Sequence, residues 1–153
     1  MIEIIERPSR RVGDSDVAAL ELVLEGSLPS DYRDFLLESN GGFSHEYEIE
    51  FPHWIYKTQT GLGVMTWGGL NPEKPFLDIV HVLGVISKAI PNGLLPFAEA
   101  TSNHLFLISA RPSDRGSVFA YDPELEGDES LRMVADSFSA FCEMLRLVRR
   151  RGQ

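Results

Sequence analysis

Three kinds of side chain in this sequence could do chemistry: carboxylates in tight groups, four scattered histidines and one thiol. In "EYEIEF" the acids Glu46, Glu48 and Glu50 occupy alternate positions, so a strand here places all three on one face. "YDPELEGDE" gathers Asp122, Glu124, Glu126, Asp128 and Glu129 in a segment that reads as a loop. Paired carboxylates do acid–base work when a cleft raises one of their pKa values, and no pattern here demands a cleft. The acids therefore read as a solvated face or as a surface for a partner. Trp54, Tyr56 and Trp67, near the first group, favour a binding surface because aromatic side chains are enriched in hot spots; core packing explains the same rings.

The histidines, His45, His53, His81 and His104, include no i, i+4 pair of the H-E-x-x-H kind. His45 and His53 bracket the acidic strand and could converge on a metal, the alternative being ordinary surface or core histidines. Cys142 lies on an apolar helical stripe, which points to burial rather than thiol chemistry. A lone cysteine also rules out an internal disulfide and a cysteine-based zinc site. No G-x-S-x-G elbow surrounds Ser102 or Ser109, and "GLG" at 61–63 is too short for a dinucleotide fingerprint. No catalytic residue, cofactor or metal ligand is assigned on these grounds.

The elements that must position these residues are legible in part. Residues 15–25 set Val17, Leu20 and Leu24 at helical spacing, with Ser15 as N-cap and Gly26 as terminator. "SLPSDYRDFLLESNGG" follows, with Pro29 at the first helical position, an apolar face of Leu28, Tyr32, Phe35 and Leu36, and Asn40 to Gly42 as the stop. After the acidic strand, "HWIYKTQTGLGVMTWGGLNPEKP" holds no sustained period; one or two short strands and a loop ending near Pro75 are expected. Residues 76–90 suit a helix capped near Asp78, or a strand because of their β-branched residues; helix is preferred. "HLFLISA" and "GSVFAYD", apolar on both faces, suit a central antiparallel pair turning through "RPSDR". A short strand at Leu131, Met133 and Ala135 precedes a last helix from Ser137 that carries Phe138, Phe141, Cys142, Leu145 and Val148, its final arginines at the negative end of the dipole. This order predicts an α+β domain over residues 1–153, with one mainly antiparallel sheet flanked by helices.

The composition, 43% hydrophobic and 24% charged, is that of a soluble globular chain, and neither a signal peptide nor a membrane span is evident, so a cytoplasmic location is expected. The net charge of −9 is uneven: residues 1–145 hold 23 acidic against 10 basic side chains, or −13, while Arg146, Arg149, Arg150 and Arg151 close the chain. Such a body repels phosphate backbones and is not expected to bind nucleic acid; a basic protein partner matches it better.

"LPSDYRDFLLESNGG" resembles the L-P-x-D-Y-x-x-F-L…N-G-G block of the SUKH superfamily, which includes fungal cell-wall-assembly regulators (SMI/KNR type) and bacterial immunity proteins of polymorphic toxin systems. "IPNGLLPFAEATSNHLFLIS", "GSVFAYDPE" and "VADSFSAFCEML" are similar to its later blocks, in order. The polar turn at Ala100 to Asn103 lacks the glycines of many relatives, and "YDPE" stands where an aromatic-Asp-His sequence is common. The resemblance implies a non-enzymatic protein that binds and occludes a toxin domain, often a nuclease, without a cofactor. An alternative within the same family is a regulatory interaction module unconnected with toxins. The surface expected to meet the partner comprises Glu46, Glu48, Glu50, Trp54, Asp122, Glu124 and Glu126; no oligomeric state is assigned.

Overall fold

The computed structural model describes residues 2–148. Strand β1 (Ile4–Glu6) leads into helices α1 (Asp14–Leu24) and α2 (Ser30–Ser39), then strands β2 (Gly42–Pro52) and β3 (Gln59–Trp67). Helix α3 (Ile79–Ile86) precedes β4 (Leu94–Ala100), β5 (Leu105–Ser109) and β6 (Val118–Tyr121). A 3₁₀ turn over Gly127–Ser130, β7 (Leu131–Ala135), α4 (Phe138–Met144) and β8 (Arg146–Leu147) complete it. The first seven strands pair antiparallel in chain order, and β8 joins β2 to make an eight-stranded sheet. The architecture is α+β with a mainly antiparallel sheet, as expected.

Two apolar clusters explain why the central strands are hydrophobic on both faces. Phe106 and Ile108 of β5, with Val118 and Ala120 of β6, join α1, α2 and α4 in the larger cluster. Their alternates Leu107 and Tyr121 meet Leu94 and Ile90 in a smaller cluster, against which Leu83 and Ile86 of α3 pack. Each face is thus covered, so period-2 polarity disappears from these strands. Near the middle of the larger cluster, Tyr32, Phe35, Trp67, Phe97, Phe138 and Phe141 meet edge to face or tilted.

Local punctuation places the first two helices to within a residue or two, with three differences. Helix α1 starts at Asp14 because the Asp16 carboxylate accepts the Gly13 N–H at 2.9 Å, so Ser15 is not the cap. Its left-handed terminator is Glu25 (φ 54°), while Gly26 is needed because a Cβ there would lie 2.1 Å from the Ala110 carbonyl oxygen. Pro29 is the N-cap of α2, one position before the first helical residue.

Residues 79–86 are helical, with Asp78 as N-cap accepting from Val80 and His81 N–H. The expected last helix is shorter than its apolar stripe suggests. It ends at Met144; Leu145 turns extended, and the chain then pairs with the free edge of β2, Tyr47 opposite Leu147 and Glu48 opposite Arg146. Sheet hydrogen bonds there, continued by Val148 N–H to the Glu46 carbonyl at 2.9 Å, replace further helix. Arg146 therefore sits beside an acidic strand, not on a helix dipole; Arg149, Arg150 and Arg151 lie outside the described residues.

Candidate functional site

Strands β2, β4 and β6 run in the same direction, since each neighbouring pair is antiparallel, and their C-terminal ends gather at one end of the sheet. His53 follows β2, His104 closes the turn after β4, and Asp122 follows β6. On a flat sheet β2 and β6 lie four strand spacings, roughly 19 Å, apart. Here the ends converge until His53 Nε2 is 3.4 Å and His104 Nε2 3.6 Å from the same Asp122 Oδ2. All three residues are buried, at 4%, 8% and 3% exposure.

Backbone contacts orient each member. The Asp122 N–H donates to the Ser130 carbonyl at 2.9 Å, and its Oδ1 accepts the Glu124 N–H at 3.0 Å, which leaves Oδ2 for the histidines. His104 donates from Nδ1 to the Ser102 carbonyl at 2.8 Å, inside a turn where Ser102 and Asn103 take positive φ. His53 Nδ1 accepts the N–H groups of Ile55 and Tyr56 at 3.1 and 3.2 Å, which puts the proton of the neutral ring on Nε2, facing Asp122. Its ring stacks against Trp54 and Tyr56, centroids 4.2 and 4.6 Å away. Trp54 Nε1–H reaches the Glu129 carbonyl at 2.6 Å and ties this turn to the loop after β6.

Two imidazoles and a carboxylate can relay a proton or hold a cation. As a hydrolytic centre the group gives a substrate no approach, because every member is buried. A hollow of about 500 Å³, lined in part by His81, Glu99, Asn103 and Tyr121, touches only His104 of the three. The histidines that meet are His53 and His104, not His45 and His53. His45 is exposed and lies 3.8 Å from Glu3, where β2 runs beside β1.

The structure separates the acids expected to form one surface. Glu46, Glu48 and Glu50 alternate with the buried Ile49 and Phe51, so they point to the α3 side of the sheet. Opposite them across β3 stand Gly63 and Gly61, paired with Glu48 and Glu50. A Cβ at Gly63 would meet Thr101 Cγ2 at 3.2 Å and Glu46 Oε1 at 3.4 Å, so Gly63 keeps room for these two side chains, whereas a Cβ at Gly61 would make only ordinary contact with Glu48 and Glu50. A hydrogen bond with Glu50, aided by desolvation and the charges of Glu50 and Glu46, holds the Glu48 carboxyl above the usual range, and Arg146 opposes this. Exposed Glu99 lines the hollow beside α3 and extends the acidic face, although nothing in its local sequence marks it. Glu124 and Glu126 are exposed on the loop after β6. Asp122 is turned inward to the histidines, and Trp54 is half-buried against the core.

Elsewhere, burial pushes the Cys142 thiol up to about 12, as expected of a packing cysteine. No helix among the described residues is long and apolar enough to cross a membrane.

An open antiparallel sheet in chain order, with three helices on one face, one on the other and a row of carboxylates on β2, defines an α+β protein. The chain belongs to the SMI1/KNR4 family (SUKH-1), whose family model matches residues 11–144. No curated protein matches it in sequence.

Proposed function

We propose that this protein is an immunity-type binding module that neutralises a basic toxin domain by covering its active site or substrate groove, without turnover. The observation that carries this reading is the acidic sheet face: Glu46, Glu48 and Glu50 on β2 and Glu99 on β4 lie on the side of the sheet that carries α3, Glu50 and Glu99 exposed and Glu46 and Glu48 half-buried. Family membership supports it, since the SUKH-1 family includes toxin-neutralising proteins. A domain that attracts phosphate carries positive charge, and an acidic face of fixed geometry competes for the same groove while speeding encounter. Glu124 and Glu126, with the Trp54 turn tied to their loop, are the second contact region proposed.

Affinity capture from a native lysate, followed by identification of the bound chain, tests the class of partner. Charge reversal of Glu48, Glu50 and Glu99 together then tests the surface. The expected result is slower association, at least about tenfold weaker binding and a flatter dependence on salt. Affinity and salt slope both unchanged would move the interface elsewhere.

A further inference from the structure

We propose that His53, His104 and Asp122 form a binding site for a divalent transition cation of the zinc class. The starting observation is His104. Its Nδ1 is committed as a donor to the Ser102 carbonyl, and its buried Nε2 has no hydrogen-bond partner among the described residues. Asp122 Oδ2 stands 3.6 Å from it. In the neutral ring a lone pair therefore faces a carboxylate out of contact with water, an arrangement that is unfavourable unless something positive lies between them.

The spacing suits a metal ion better than a proton. Charge-assisted N–H···O bonds close to about 2.7–2.9 Å, whereas Asp122 stands 3.4 and 3.6 Å from its two histidines. Tetrahedral zinc with bonds of about 2.0–2.1 Å sets its ligands roughly 3.3 Å apart. One donor atom from each residue lies within 4.8 Å of the others. Two imidazoles and a carboxylate suit zinc and its neighbours and do not suit calcium or magnesium, which take oxygen donors. The Nδ1–H of His104 on a backbone carbonyl is the supporting bond that orients metal-ligating histidines. Three protein donors leave a fourth position of a tetrahedral ion open.

His53 adds a specific consequence. Its Nδ1 accepts two backbone N–H groups, so in the free protein the ring proton sits on Nε2. Coordination through Nε2 moves that proton to Nδ1 and releases the N–H groups of Ile55 and Tyr56, both exposed residues, from His53. The ion is thereby coupled to the turn carrying Trp54 and Tyr56, whose rings stack on His53.

The test uses the whole chain without any partner, so its outcome is independent of the proposed toxin. After chelation, ZnCl₂ is titrated calorimetrically, with melting temperature and histidine ¹⁵N spectra read in parallel. The expected result is a one-to-one complex, a higher melting temperature and transfer of the His53 proton from Nε2 to Nδ1. His104→Asn and Asp122→Asn should weaken binding by more than the ~10–100-fold that loss of even a supporting partner costs. His45→Asn and the Glu48→Gln/Glu50→Gln pair should leave it unchanged. Circular dichroism of each variant separates ligand loss from unfolding, and the wild-type spectra keep the test decisive where a variant fails to fold. Absence of stoichiometric binding, equal binding in folded His104→Asn, or a His53 proton that stays on Nε2 in saturating zinc would each overturn the site.

Discussion

Asn40 and Leu70 grip each other through both ends of the Asn40 amide: Leu70 N–H donates to Oδ1 at 2.7 Å, and Nδ2 donates to the Leu70 carbonyl at 3.2 Å. Nδ2 also donates to the Arg10 carbonyl at 3.1 Å. The residue that stops α2 in a left-handed conformation, φ 53°, thus ties the segment before α1 and the loop after β3 to one point. Asn40→Ala removes these bonds at a buried site and leaves a residue poorly suited to positive φ. A loss of about 3 kcal/mol is expected by urea unfolding. Asn40→Gly keeps the left-handed backbone and should lose about 1 kcal/mol less.

A second clasp holds the same N-terminal segment and gives a pH signature. The Glu73 carboxylate accepts from both the N–H and the hydroxyl of Ser9, and these bonds hold its pKa down to about 2. A folded-state value below the unfolded one means the clasp stabilises above about pH 4.5 and is lost as pH falls towards 2. In Glu73→Gln the stability curve between those limits should be flatter than in wild type, as measured by denaturant midpoints at fixed pH.

The Glu48 and Glu50 pair works in the opposite sense. Sharing a hydrogen bond raises the Glu48 pKa, so folding favours the protonated form. The stabilisation is full below the unfolded value and disappears as pH rises through the folded one, leaving two like charges on the sheet face at neutral pH. Glu48→Gln should raise the melting temperature at pH 7 and reduce the loss of stability expected in wild type as pH rises from the unfolded carboxylate value through the raised folded one. If added salt raises the wild-type value towards that of the variant, repulsion is the cause.

What could be read from the sequence follows from how local the cause is. The limits of α2 are legible because Pro29 and Asn40 act on their own backbone, and the two-sided apolarity of β5 and β6 already signals a covered sheet. Strand β3 is hard to read because Gly61 and Gly63 interrupt its pattern, and at Gly63 the reason lies on other strands, where Thr101 and Glu46 crowd the place of a Cβ. The turn of the chain from α4 into β8 depends on the free edge of β2, about a hundred residues earlier in the chain, which no helical stripe reveals. His53, His104 and Asp122 carry no shared spacing. Only the common direction of β2, β4 and β6 and the convergence of their ends bring them together.

Tyr32 presents a remaining imbalance at the centre of the core. Its ring meets Phe138 at 5.3 Å and Phe97 at 5.7 Å, both edge to face, while its buried hydroxyl has no partner among the described residues. Burial pushes the phenol pKa well above its ordinary value. Tyr32→Phe keeps both ring contacts and removes an unsatisfied polar group, so a gain of about 1 kcal/mol is expected in urea with an unchanged denaturant slope. Tyr32→Ala removes the ring itself and should cost about 3–5 kcal/mol. The sign above neutral pH discriminates further. Because the folded value lies above the unfolded one, wild type loses stability as pH rises past about 10, when the unfolded phenol ionises and the buried one does not. Tyr32→Phe should lack that part of the alkaline loss. A destabilised Tyr32→Phe would instead mean that the hydroxyl is held by a buried water, since removing the hydroxyl would then break that bond.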